Sequence, residues 1–276
     1  MRGDTEENAD SIRVDSPTAH KDSLKLALAI AANEDFEILS ADIKSAFLQG
    51  KSLDRKVYVL PPKEAKKDGK LWLLEKAAYG LIDGSSLFYL EMKEKLGMKQ
   101  ISGDSALFTK HVNGNLVGFV LIHVDDLLMA GNSVFKQSVN NKLFKLFHFS
   151  KVEIDKFKYL GCEIEKLENG DITLNQKEYI KKIEEVECPA KRNSCNVNEN
   201  ERKEIRRIVG ELLWVSLMTR PDLSFQVNKL STNISNATIR ELKDAKRLVE
   251  KAKLEPITLN FTKLVYDHPT NRLVVY

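Results

Sequence analysis

Proline, glycine and cysteine are all scarce in this chain of 276 residues, at 7, 13 and 3. So little proline and glycine excludes a collagen-like or low-complexity chain. The cysteines, Cys162, Cys188 and Cys195, are odd in number and lack the paired C-x-x-C spacing of a structural zinc site. They read as reduced thiols of an intracellular protein. Long apolar runs are missing too: the longest, around Phe119 to Ile122, falls far short of the ~18 residues that span a bilayer. No apolar N-terminal stretch follows a basic segment, as a secretory signal would require. The expectation is a protein without a membrane partner, cytoplasmic, with the nucleus as the alternative.

What is present is a globular composition, 42% hydrophobic and 30% charged, in a chain long enough for two domains. The net charge of +3 hides an asymmetry. Residues 1–50 carry 5 Lys+Arg against 10 Asp+Glu, which leaves 38 against 30 in the rest. An excess of that sign beyond the first fifth of the chain suits a polyanion, which charge alone does not name.

Residues 1–22 read as an acidic leader. A helix rich in Ala and Leu is expected from Asp22 to near Asn33, then a strand from Phe36 to Ile43, followed by short strands Val57–Leu60 and Leu71–Leu74. A helix follows from Ser85 to Leu96. Asn113-Gly114 and Asn169-Gly170 mark hairpins, since that dipeptide favours a two-residue turn with positive φ. The first joins Ala106–His111 to Leu116–His123; the second joins Phe157–Glu165 to Asp171–Asn175. Phe135–Phe147 and Gln176–Val186 have helical spacing, residues 188–200 read as a polar linker, and three helices follow over Glu201–Leu217, Ser224–Ser235 and Thr238–Lys253. The order implies an α+β domain with antiparallel hairpins, then a helical one.

The sharpest chemical feature is Asp125-Asp126 at the reversal between two apolar strands, in LVGFVLIHVDDLLMAGN. Adjacent carboxylates repel unless a cation lies between them, and oxygen ligands suit Mg²⁺. Acidic residues also form ordinary turns, so the dipeptide alone leaves a solvated hairpin open. Asp42, at the end of the expected strand in SADIKSAFLQG, supplies a third carboxylate, the number a two-metal nucleotidyl transfer requires; alone it reads equally as a cap for the following turn.

ADIKSAFLQG, LEKAAYGL, the hairpin ending HVDD, FKYLGCEIE and TRPDLSF occur in this order, and together they resemble the reverse transcriptase of copia-type long-terminal-repeat retrotransposons, from about Asp15 to Lys253. The resemblance implies a right-hand polymerase: fingers and palm over 23–187, a linker over 188–200, and a mainly helical thumb and connection over 201–256. It implies two Mg²⁺ ions, with Mn²⁺ as an alternative, on Asp42, Asp125, Asp126 and the carbonyl of Ile43. Phe47 falls where an aromatic ring lies under the sugar of the incoming nucleotide, Tyr79 and Gly80 where the nucleotide and template pass, and Leu160-Gly161 in the primer-gripping element. The implied partners are an RNA template, a DNA primer or RNA–DNA hybrid, and deoxynucleoside triphosphates.

Two departures from the pattern stand out. Ser86 to Phe88 replaces an Arg and a Trp usual in the relatives. At the ends, only Arg2-Gly3 remains of a basic fingers segment, and Arg272 to Tyr276 resembles the first strand of a ribonuclease H domain placed over 257–276. The expectation is a polymerase core cut at both ends. A non-catalytic nucleic-acid-binding remnant of such a polymerase and a plain α+β interaction module are the rival readings. On a helix, Lys203, Arg206 and Arg207 would share a face suited to phosphate.

Overall fold

A computed structural model describes residue 12, residues 14–65 and residues 69–264. Arg2-Gly3 and Arg272–Tyr276 lie outside the described residues. The chain divides into two compact units, one ending at Ile154 and the other beginning at Asp155.

In the first unit, helix α1 (Lys21–Asn33) buries Leu24, Ala27, Leu28, Ala31 and Ala32, the stripe its Ala- and Leu-rich spacing dictates. Strand β1 (Glu37–Ile43), the turn of helix α2 (Ala46–Gln49), the ribbon of β2 (Ser52–Val59) and β3 (Trp72–Lys76), and helix α3 (Gly84–Leu96) follow. Next come β4 (Lys99–Ile101), β5 (Asp104–Val112), β6 (Asn115–His123) and β7 (Asp126–Gly131). The expected helix over 135–147 is built from α4 (Ser133–Phe135), a π-helical turn (Lys136–Asn140) and α5 (Asn141–Leu146). Strand β8 (Phe149–Ile154), mostly exposed and without apolar alternation, closes the unit.

Six of these strands form one antiparallel sheet in the order β4-β5-β6-β7-β1-β8. The arrangement follows from apolarity: β6 and β7 are buried along nearly their whole length, so they take the interior of the sheet. Leu39, Ala41 and Ile43 of β1 join Val120, Ile122, Leu127 and Met129 on one face, packed with Phe88 and Met92 of α3 and Phe135 and Leu143. By alternation Ser40 and Asp42 lie on the opposite face of β1.

The second unit has a smaller antiparallel sheet, β9 (Lys156–Tyr159), β10 (Cys162–Lys166), β11 (Ile172–Asn175) and β12 (Thr258–Phe261), in the order β12-β11-β10-β9. Its helices are α6 (Lys177–Lys182), α7 (Glu199–Met218), α8 (Ser224–Asn233) and α9 (Ile239–Leu254). Ile205, Ile208, Val209, Leu212 and Val215 of α7 pack with Val227, Leu242, Ala245 and Val249 in a separate core. Among the described residues, no helix is long and apolar enough to cross a membrane.

Four details differ from the sequence expectation. Phe157–Glu165 is not one strand, because Leu160 and Gly161 reverse the chain between β9 and β10, both at positive φ. Helix α6 stops at Lys182, where Ile183 turns extended and is buried with Val186 among the helices. Residues 188–200 are not a spacer between the units. The amides of Ile239 and Arg240 donate to the carbonyls of Cys195 and Asn193, and Asn198 caps α7 with Glu201. Polar residues there serve as turns and caps, which composition cannot tell from a linker. Finally, Thr258–Phe261, expected to open a further domain, pairs with β11 as an edge of the second unit's sheet.

Candidate active site at the β6–β7 hairpin

Strands β6 and β7 are joined by the two-residue turn Val124-Asp125, with His123 paired to Asp126 across the ladder. Val124 has φ of +59°, a conformation that a β-branched side chain pays for in strain of about 1–3 kcal/mol. Such a turn holds Asp125 at the tip and Asp126 at the first ladder position. Antiparallel pairing of β1 with β7 then sets Asp42 directly opposite Asp126, so that the two share one face. The amide of Ile43 donates to the carbonyl of Asp125 at 3.0 Å, fastening the turn to the end of β1.

Asp42, Asp125 and Asp126 are all half-buried. The Asp126 carboxyl is pushed above its usual range, first by burial and then by the charges of Asp125 and Asp42, with His123 opposing. Among the described residues, no Lys or Arg forms an ion pair with any of these carboxylates. Lys151 of β8 is the register partner of Asp42 but pairs with Glu153 at 2.7 Å instead. Asp42 instead accepts a hydrogen bond from Ser150 on β8. As the side chains stand, no three His, Cys, Asp or Glu groups among the described residues gather around a single point. The donor set nonetheless fits a hard divalent cation: it is all oxygen, gathered where β1 ends and β7 begins, and its charges repel one another.

Phe47 and Tyr79 complete the site. Their rings lie 4.6 Å apart at 38°, and the Tyr79 hydroxyl donates to Asp125 Oδ2 at 3.4 Å. Tyr79 is 54% exposed, and its hydroxyl is pushed above its ordinary value by partial burial and by the neighbouring charge of Asp125. Gly80 follows at φ of +99°, a backbone conformation that glycine adopts without strain. Phe47 also packs against the main core.

Asp42, Ile43, Phe47, Tyr79, Gly80, Asp125 and Asp126 therefore all belong to the first unit, and Leu160 and Gly161 to the second. In that unit the Leu160-Gly161 turn stands beside α6 and α7: a Cβ on Gly161 would lie 3.6 Å from both Trp214 and Tyr179. The basic face expected on α7 is largely engaged. Arg207 pairs with Glu204 and Glu211 and Arg206 with Glu199, while Lys203 has no ion pair among the described residues. Ser86 and Phe88 are core residues.

The bond from Ser150 to Asp42 and the ion pair of Arg55 with Asp83 were not legible in the sequence. Ser150 lies on a strand with no apolar signal, and Arg55 meets Asp83 only through the tertiary fold.

A sequence profile described as reverse transcriptase (RNA-dependent DNA polymerase) matches residues 4–197. The chain is 29% identical to the retrovirus-related Pol polyprotein from transposon RE1 of Arabidopsis thaliana, over 85% of this chain and 17% of that protein. It is 28% identical to the putative transposon Ty5-1 protein of Saccharomyces cerevisiae, over 75% of this chain and 73% of that one. With the Pol polyprotein from transposon TNT 1-94 of Nicotiana tabacum the identity is 25%, over 80% of this chain and 19% of that protein. The chain thus spans under a fifth of the length of these plant polyproteins. With the motifs in order and the profile covering most of its length, the chain belongs to the reverse transcriptase (RNA-dependent DNA polymerase) family, in its copia-type branch.

Proposed function

We propose that this chain is an RNA-directed DNA polymerase core, adding deoxynucleotides to the 3′-hydroxyl of a DNA primer on an RNA template. The observation that carries the reading is the β1–β7 register, which sets Asp42 opposite Asp126 and next to the Asp125 turn. Three mutually repelling carboxylates without a Lys or Arg partner among the described residues are an arrangement that costs stability unless cations are recruited. Asp42, Asp125, Asp126 and the carbonyl of Ile43 are the residues that would hold two Mg²⁺ or Mn²⁺ ions. Bound there, the ions would activate the primer hydroxyl and steady the departing pyrophosphate.

The rest of the work falls to the chain. The strained turn holds Asp125 outward, and the Tyr79 hydroxyl orients one of its oxygens. Phe47 presents its ring to the sugar, leaving no room for a 2′-hydroxyl, while Tyr79 and Gly80 line the nucleotide side. On this reading residues 23–187 supply fingers and palm, with Leu160-Gly161 against the primer backbone, and residues 201–256 supply the thumb and connection.

The test is Mg²⁺-dependent extension of a DNA primer on an RNA template by the purified chain, with Asp125→Asn as control. Extension that the substitution abolishes supports the polymerase. Tight template–primer binding without extension supports a nucleic-acid-binding remnant. Neither binding nor extension leaves an interaction module.

A further inference from the structure

We propose that Arg55 and Asp83 form a positioning strut that sets the Phe47–Tyr79 wall, and through it the choice between deoxyribo- and ribonucleotides; the inference rests on the reading of Phe47 given above. Asp83 has a side chain only 6% exposed, and Arg55 is 25% exposed. A carboxylate so buried is tolerated when it is paired, and here the pairing is two-pronged: Arg55 Nη1 donates to Oδ2 and Nη2 to Oδ1, the latter at 3.2 Å. Two parallel bonds fix orientation as well as distance, which an ammonium cannot do.

Each end of this pair is placed where it can transmit position. Arg55 sits in the part of β2 where the ladder with β3 lapses, between the pairs Ser52–Lys76 and Val57–Leu74. The register of β2 against β3 shifts in that stretch, so Arg55 lies at an irregularity of the ribbon. Asp83 stands at the other end, directly before α3, and its carbonyl accepts from the amide of Leu87 at 2.9 Å. The next residue, Gly84, backs the ring of Phe47 so closely that a Cβ there would lie 3.1 Å from Cδ2. Phe47 in turn stacks on Tyr79, which reaches Asp125. A continuous line of contacts thus runs from the β2–β3 ribbon to the carboxylate turn.

The strut does not touch the metal-binding carboxylates, so losing it has a particular signature. Letting the start of α3 drift moves the support behind Phe47 by a fraction of an ångström and opens space for a 2′-hydroxyl. Sugar selection then suffers more than the rate of deoxynucleotide addition. A merely structural ion pair would lower stability and leave selection alone.

The experiment uses the full chain with Asp83→Asn, which keeps shape but not charge, and Arg55→Lys, which keeps charge but not the fork. Equilibrium binding of deoxyribo- and ribonucleoside triphosphates to the template–primer complex is compared, alongside thermal unfolding of the free protein. The expected result is a fall in the binding preference of about tenfold in both variants, within the range that small misplacements produce. In a Phe47→Ala background the same substitutions should change the preference no further. The melting shifts of Asp83→Asn and Phe47→Ala should also be non-additive, a readout that needs no nucleotide. If Phe47→Ala relaxes the preference and the strut variants do not, the strut is overturned and the reading of Phe47 stands. If Phe47→Ala itself changes nothing, that reading falls; additive melting shifts would overturn the strut independently.

Discussion

Arg220, in the second unit, is fully buried, and all three of its guanidinium nitrogens donate: Nε and Nη2 to Asp222 at 2.9 Å, and Nη1 to the carbonyls of Ala252 and Glu255. Ala252 lies in the last turn of α9 and Glu255 is its C-cap, where helix carbonyls run out of intrahelical N–H partners. The Asp222 carboxyl is held below its usual range by that hydrogen bonding. Asp42, Asp125 and Asp126, in the first unit, receive the opposite treatment. Asp125 sits on a strained turn with Asp126 beside it and Asp42 opposite, burial and then the neighbouring charges raise the Asp126 carboxyl, and no Lys or Arg among the described residues pairs with the three. Charge that serves the fold is answered within the fold. The charge proposed to hold cations is left uncompensated, an arrangement that costs stability in the free protein.

Substitutions can break that contrast, and the largest effect belongs to the uncompensated group. Asp125→Asn should lower primer extension at least 10³-fold, equivalent to about 4 kcal/mol, while leaving the unfolding temperature intact. Extension kinetics paired with thermal unfolding check this; a rate near that of the parent protein would remove Asp125 from the chemistry. Arg220→Met is the converse, a stability change without a direct catalytic role. It should cost about 3 kcal/mol, because it leaves Asp222 and the carbonyls of Ala252 and Glu255 without the guanidinium donor. Denaturant titration measures it, and a loss below 1 kcal/mol would show that water replaces the guanidinium easily.

Phe47→Ala sharpens the comparison within the first unit, since that ring is both core and site. It should raise ribonucleotide incorporation relative to deoxyribonucleotide by about tenfold or more, and cost stability as a partly buried aromatic does, about 2 kcal/mol. Single-nucleotide incorporation with each sugar separates the two roles. An unchanged ratio with the stability loss intact would make Phe47 a packing residue alone.

The smallest effect tests the sign of the compensation itself. Because the folded protein raises the Asp126 carboxyl above its unfolded value, the folded state binds the proton more tightly. Its stability therefore falls as pH rises through the window between the unfolded and folded values. Asp126→Asn should accordingly raise the metal-free unfolding temperature at neutral pH by roughly 1–2 °C, a gain that vanishes below about pH 4. For Asp222 the sign is reversed: its depressed carboxyl contributes stability above the unfolded value, lost as pH falls through the folded one. Parallel pH titrations of melting for Asp126→Asn and Asp222→Asn should slope in opposite directions.

Much of this was legible in the amino-acid order because it rests on local physics. Alternation and apolar runs identify the strands that became β1, β6 and β7; Asn-Gly places two hairpin turns; apolar spacing and caps mark α7, α8 and α9. The residues of the site could be named because they sit in short ordered motifs, ADIKSAF, AAYGL and HVDD. Strand β8 and the Leu160-Gly161 reversal escaped. One is an exposed edge with no burial pattern, and the other places a leucine where the turn requires positive φ.

What the sequence determined by itself is which groups are available: three carboxylates, two rings and a glycine at fixed places in the chain. Which of them meet was decided only by tertiary structure. The opposition of Asp42 to Asp126 is a matter of register, and a slip of one residue between β1 and β7 would turn one of them to the other face. The meeting of Arg55 with Asp83, and of Phe47 with Gly84 and Tyr79, joins residues 28, 37 and 32 positions apart. Such contacts are set by how the elements pack together, because no local propensity acts over those distances.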